Sequence, residues 1–193
     1  MRTRESSPSD SPVSTADLRR AFSEAPISTL LSTSLGAGLF PIAPGTAGSA
    51  VGLVLAWLLG RSLSQGTGSS VAASVGLLMS GLLVGLVGVP LSTRAARALG
   101  ARDPGCVVID EVAGQLLSSS PIPLFRYATP GWETSVWIAS FLFFRLFDVW
   151  KPGVIDRLQD LPEGWGIVAD DIAAGVAAAL LTALLAWFVP AGA

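Results

Sequence analysis

Between Val71 and Leu91 the chain runs for 21 residues without a charge. A helix needs roughly 20 apolar residues to cross a bilayer, so this run is long enough to span one. Lipid supplies no hydrogen bonds to backbone, which makes helix the conformation open to such a segment. Four further stretches are apolar: Ala50–Gly60, Val112–Phe125, Ser135–Trp150 and Ile172–Val189. None alternates with period two, which argues against strands. Ile27–Ile42 is broken by Gly36, Gly38 and Pro41 and reads as a short or re-entrant helix, while Pro121 and Pro123 end Val112–Phe125. Gly76, Gly81, Gly85 and Gly88 recur along one run, and small residues let membrane helices approach closely. The expected fold is all-α: a compact helical bundle, integral to a membrane, with four or five membrane-associated helices, some short or re-entrant.

Composition agrees. Only 13% of the 193 residues are charged and 51% are hydrophobic, against roughly 25% charged in an ordinary soluble domain. A net charge of −2, with no basic stripe, excludes nucleic acid as a partner. The chain has no histidine, which removes every His-based triad, metal site and general base. Cys106 is the single cysteine and can form neither an internal disulfide nor a zinc site. Residues 1–25 are rich in Ser, Pro and charge and lack the apolar core of a signal peptide. They are expected to form a flexible polar tail, with residues 26–193 a single helical domain. Leu18 and Phe22 fall four apart, which suits an amphipathic docking segment at Thr15–Phe22.

Charge placement orients the bundle. With spans at about 47–60, 71–91, 112–125, 134–150 and 172–189, nine cations share one side: Arg2, Arg4, Arg19, Arg20, Arg94, Arg97, Arg102, Lys151 and Arg157. Arg61 and Arg126 fall on the other side, and Arg145 within a span. Positive charge concentrates on cytoplasmic loops. The tail and the motif-bearing loops are therefore expected to face the cytoplasm.

Six acidic residues stand at the ends of apolar runs on that same side: Asp103, Asp110, Glu111, Asp148, Asp170 and Asp171. Carboxylates at such a boundary are costly unless paired or bound to metal. Asp110-Glu111 and Asp170-Asp171 each precede an apolar helix, whose N-terminal dipole tolerates negative charge. Arg145, Asp148 and Lys151 follow one another at steps of three, which sets them on one helix face. Oxygen ligands in this number suit a hard divalent cation, Mg²⁺ before others. Arg145 and Lys151 suit a phosphate group. The plainer alternative is that these groups are helix caps and ion pairs without a catalytic role. Residues 36–49, GAGLFPIAPGTAGS, form a glycine-rich loop leading into a helix near Thr46. Gly45, Thr46 and Ser49 there can offer backbone N–H groups and hydroxyls to an anion. The loop lacks the Lys of a P-loop, and no Cys-based or Asp-x-Asp phosphatase signature occurs.

Four motifs carry a resemblance: GLFPIAPGTAGS at 38–49, DPGCVVIDEVAGQ at 103–115, FRLFDVWKP at 144–152 and GIVADDIAAG at 166–175. In order and spacing they resemble the bacterial phosphatidylglycerophosphatase A family over about residues 30–188. The resemblance implies a Mg²⁺-dependent phosphomonoesterase of the bacterial cytoplasmic (inner) membrane, multi-pass, its active site facing the cytoplasm. Its substrate would be phosphatidylglycerophosphate in the bilayer and its product phosphatidylglycerol, a step toward cardiolipin. By position, Asp110, Glu111, Asp148 and Asp171 become catalytic carboxylates and, with Asp170, metal ligands. Arg145 and Lys151 become phosphate contacts, beside Gly45, Thr46 and Ser49. Phe40, Pro104, Val154 and Glu163 depart from the family pattern, Glu163 where glycine is expected; none of the four removes a carboxylate or a cation. The competing reading is a small ion or proton-coupled transporter, raised by Arg145 and Asp148 within a span.

Overall fold

A computed structural model describes residues 13–191. Eight helices follow in order: α1 Thr15–Glu24, α2 Pro26–Ser32, α3 Pro44–Thr67, α4 Ser70–Leu99, α5 Ile109–Ser119, α6 Pro130–Trp150, α7 Val154–Leu158 and α8 Gly164–Phe188. Among the described residues no strand forms; a single bridge joins Tyr127 to Ala191. The helix ends follow local chemistry. Ser14 and Asp17 make a reciprocal capping box on α1, Ser69 caps α4, and Thr129 caps α6 ahead of Pro130. α3 and α4 both stop at glycines in the left-handed conformation, Gly68 and Gly100.

α3, α4 and α8 are long and apolar enough to cross a membrane, with mean hydropathies of 1.3, 2.1 and 1.9 over their best windows. α6 has the length as well, at 21 residues, but carries Glu133, Arg145 and Asp148. The outer faces of these helices are greasy: Leu58 on α3, Leu83 and Leu86 on α4, Leu142 on α6 and Leu180 on α8 are all exposed.

α5 occupies the centre and packs against α3, α4, α6 and α8. Every residue of α5 except Glu111 is buried. At 11 residues it is about 16 Å long, roughly half a hydrocarbon core. A 3₁₀ turn at Ile122–Leu124 continues the chain toward α6. The expected 112–125 helix is therefore a short central helix plus a turn. Segment 27–42 is likewise not one helix: α2 ends at Ser32, Ser34 and Leu35 take positive φ, and a 3₁₀ turn spans Ala37–Leu39.

Glycines set how closely α5 is gripped. A Cβ on Gly52 would stand 2.8 Å from the Cβ of Gln115, and one on Gly175 would stand 2.5 Å from the carbonyl oxygen of Gly114. Backbone meets backbone where α5 crosses α8, as small residues allow. Phe144 of α6 packs against this crossing and is fully buried, as are Leu77 of α4 and Leu116 and Leu117 of α5.

At the amino end, residues 1–12 of the expected tail lie outside the described residues. Residues 15–24 form α1, which contains the whole of the expected docking segment. α1 turns Ala21 into a cluster with Ala95, Ala98 and Leu99 of α4, and Arg20 donates from Nε to the Ala98 carbonyl at 3.0 Å.

Candidate active site

One end of the bundle collects the start of α3, the end of α4, the starts of α5 and α8, and the end of α6. Asp110 and Glu111 open α5, but α8 begins at Gly164, so Asp170 and Asp171 lie in its second turn rather than ahead of it as expected. One carboxylate oxygen from each of Asp110, Glu111 and Asp171 lies within 4.8 Å of the others. Asp110 is 7% exposed and Asp171 3%. Two ionised carboxylates at that separation repel by roughly 3 kcal/mol at an effective dielectric near 20. Three of them together, two buried and Glu111 partly so, call for a cation or for protons. Asp110 Oδ1 and Glu111 Oε2 are buried with no hydrogen-bond partner among the described residues. Buried polar atoms are ordinarily satisfied. An all-oxygen donor set with unfilled lone pairs fits a hard divalent cation.

The remaining carboxylates have a different task. Asp148 forms a close ion pair with Arg145, one turn back on α6, and lies 3.8 Å from Lys151 Nζ. Asp170 forms a close ion pair with Lys151. Asp148 and Asp170 thus aim the two cations at the site, while Asp110, Glu111 and Asp171 make up the three-carboxylate cluster. Lys151 caps α6 in the left-handed conformation, φ +46, and this turn swings its ammonium back toward both carboxylates. Burial alone would lower the Lys151 pKa, but the hydrogen bond from Lys151 to Asp170 and the surrounding carboxylates outweigh it and raise it above the usual value. The ammonium therefore stays charged through the physiological range. Asp103 stands on the α4–α5 loop nearby; desolvation raises its carboxyl, against the lowering effect of Lys151 and Arg102.

The glycine-rich segment splits in two. Gly38 and Gly48 serve packing: a Cβ on Gly48 would come within 2.7 Å of the Val108 Cβ. Gly45 belongs to the site. A Cβ there would run into the Glu111 carboxylate and stand 3.3 Å from Arg145 Nη1. Ser49 Oγ donates to the Gly45 carbonyl at 2.8 Å and accepts from Arg145 Nη1 at 3.3 Å. Thr46 is exposed on the first turn of α3, beside the site rather than in it.

One polar element carried no sequence signal strong enough to single it out. Gln115 lies one turn below Glu111 and donates to Ser119 Oγ at 3.0 Å and to Ser140 Oγ at 3.4 Å; Ser118 donates to the Ser140 carbonyl at 2.8 Å. All four side chains are fully buried. The one available cue was a glutamine four residues after a glutamate in an apolar helix.

The family model for phosphatidylglycerophosphatase A matches residues 30–186. The chain belongs to the phosphatidylglycerophosphatase A family. A phosphatidylglycerophosphatase A of Escherichia coli strain K12 is 34% identical over 152 residues, covering 78% of each chain. Its namesake in Haemophilus influenzae is 32% identical over 154 residues, covering 79% of this chain and 84% of its own. A Bacteroides thetaiotaomicron protein with the provisional name phosphatidylinositol-3-phosphatase is 32% identical over 164 residues, covering 83% and 94%. No solved structure matches. Membership of the phosphatidylglycerophosphatase A family makes the protein a phosphatase and decides against the transporter reading.

Proposed function

We propose that the protein hydrolyses the phosphomonoester of phosphatidylglycerophosphate to phosphatidylglycerol and phosphate, in a Mg²⁺-dependent reaction at the cytoplasmic face of a bacterial inner membrane. The observation that carries this is the cluster of Asp110, Glu111 and Asp171 beside Arg145 and Lys151, at one end of an apolar bundle. A lipid whose tails lie among helices brings its headgroup to that depth. The families of the E. coli and H. influenzae relatives supply the headgroup. The expected organisation, a tail over residues 1–25 and one phosphatase domain over 26–193, goes with this proposal.

Asp110, Glu111 and Asp171 would hold the metal, with Asp148 and Asp170 close by. When bound, Mg²⁺ neutralises charge on the phosphoryl group and lowers the pKa of water. Arg145 and Lys151 grip the non-bridging phosphate oxygens, in orientations fixed by Asp148, Asp170 and Ser49. Gly45 keeps the start of α3 free of a side chain where the phosphate must enter, and Thr46 lines the approach. A cluster carboxylate takes a proton from the attacking water. The new P–O bond forms as the bond to the glycerol oxygen breaks, and that oxygen leaves as the alcohol once protonated.

The orientation rests on charge. Among the described residues, Arg19, Arg20, Arg94, Arg97, Arg102, Lys151 and Arg157 belong to the carboxylate end and Arg61 and Arg126 to the other.

Phosphate release by detergent-purified protein tests the whole reading. Release from phosphatidylglycerophosphate that Mg²⁺ supports and excess chelator stops is the expected result. Preference for phosphatidylinositol 3-phosphate would keep the chemistry and change the headgroup. No release from either lipid, by protein with intact helical circular dichroism, would overturn the proposal.

A further inference from the structure

The opposite end of the bundle holds a cavity of about 470 Å³ between the end of α3, the 3₁₀ turn after α5 and the start of α6. Arg61 and Arg126 both line it, with Tyr127, Glu133 and Trp137. These are the two cations that the charge distribution leaves on this side. Positive charge is disfavoured there, yet both arginines line one hollow. Neither has a carboxylate within 4.0 Å among the described residues. The Arg61 guanidinium lies 5.3 Å above the Trp57 ring, a stacking that leaves its N–H edge free to donate. Glu133 is engaged from the protein side, accepting from Trp137 Nε1 at 3.4 Å. Tyr127 donates its hydroxyl to the Ile122 carbonyl at 3.1 Å, which fixes the cavity floor.

We infer that this cavity binds the headgroup of an anionic phospholipid from the leaflet remote from the carboxylates, its phosphodiester held between Arg61 and Arg126. Three features select that ligand. Charge is the first: two guanidiniums and one carboxylate leave one net positive charge, the complement of a phosphodiester monoanion. A headgroup that also carries an ammonium gains nothing from that field. Depth is the second: sixteen residues of α3 separate Gly45 from Arg61, or about 24 Å at the helical rise, close to the ~30 Å of a hydrocarbon core. Exposed Trp57, Trp132, Trp187 and Phe188 ring the same end, as aromatic side chains do at a lipid–water interface. The third is hydrogen bonding: Glu133, Ser64 and Thr129 line the same cavity and suit a headgroup alcohol, such as glycerol. The inference does not rest on the phosphatase reading, because none of these residues lies at the carboxylate end.

Native mass spectrometry of the detergent-solubilised full chain, offered phosphatidylglycerol and phosphatidylcholine in equal amount, tests it. The expected result is one phosphatidylglycerol retained at about a tenfold excess over phosphatidylcholine, the gain of roughly one charge-assisted contact. The Arg61→Gln/Arg126→Gln variant should retain one phosphatidylglycerol fewer, and Arg61→Lys/Arg126→Lys should keep most of the binding. Both variants change exposed side chains, and equal thermal unfolding without lipid checks their folding. Equal retention of the two lipids, or undiminished phosphatidylglycerol on the glutamine variant, would overturn the inference. Excess inorganic phosphate should leave the lipid bound; its displacement at matched concentration would reassign the cavity to a free anion.

Discussion

Asp110 and Asp171 come from helices whose backbones touch at Gly114 and Gly175, so their carboxylates are brought together by packing rather than by attraction. An amide in place of either keeps the shape and removes a charge from a site where three negative groups repel. Asp110→Asn and Asp171→Asn should each lower kcat by at least about 100-fold, the scale of a lost acid–base or ligand group. Both should leave the thermal midpoint unchanged or higher. Full activity in both variants, measured as phosphate release, would remove the cluster from the mechanism. Asp170 behaves differently because it partners Lys151, a quarter of whose side chain is exposed. Asp170→Asn should cost roughly 1–3 kcal/mol, below the 3–5 of a fully buried broken pair, and should raise KM more than it lowers kcat. Denaturant unfolding and steady-state kinetics separate the two effects. All of these carboxylates were visible in the sequence, because charge is rare beside apolar runs. Their division into a cluster and two counter-ions was not. It depends on where the end of α6 meets the start of α8, a contact with no local signature.

At the level of elements, two places between helices turn on whether a glycine is present. Glu163, immediately before α8, has φ +56 and ψ −139, a conformation that suits glycine. This explains why glycine is expected at that point of the family pattern. Here Glu163 pairs with Arg97 at the exposed surface, an interaction that contributes little. Glu163→Gly relieves the strain and Glu163→Ala keeps it. The glycine variant should therefore be the more stable of the two by about 1 kcal/mol, read from thermal or denaturant unfolding. The α5–α8 crossing is the second junction. A methyl on Gly175 meets the Gly114 backbone, which cannot move aside as a side chain would. Gly175→Ala should destabilise by roughly 1–3 kcal/mol and reduce turnover with it, since α5 and α8 carry Glu111 and Asp171. Gly66→Ala, with nothing within 4 Å, should be neutral or slightly stabilising. Glycine-rich runs announced close packing in advance. The central place of α5 was not legible, because every long run is apolar and periodicity does not separate a buried helix from a lipid-facing one.

Across the whole molecule, the two ends differ in charge and in what they hold. The carboxylate end carries the acidic cluster and most of the cations; the other end carries two arginines, an aromatic ring of side chains and a cavity. Alternating apolar runs and cation placement predict two unlike ends, whereas the shared cavity of Arg61 and Arg126 depends on the turn after α5 lying against the end of α3. If the carboxylate end faces the cytoplasm, then Thr67, exposed at the end of α3, faces away from it, and Gln159, on the α7–α8 connection, faces the cytoplasm. Cys106, the single native thiol, lies at the carboxylate end and is removed first as Cys106→Ser. On that background, a membrane-impermeant maleimide applied to spheroplasts should label Thr67→Cys at once and Gln159→Cys only after lysis. The reverse pattern would put the acidic cluster on the outer surface. The phosphatase chemistry would survive that result, but the substrate would then have to reach the enzyme from the opposite leaflet, and the two remote arginines would meet the anionic lipids of the cytoplasmic side instead.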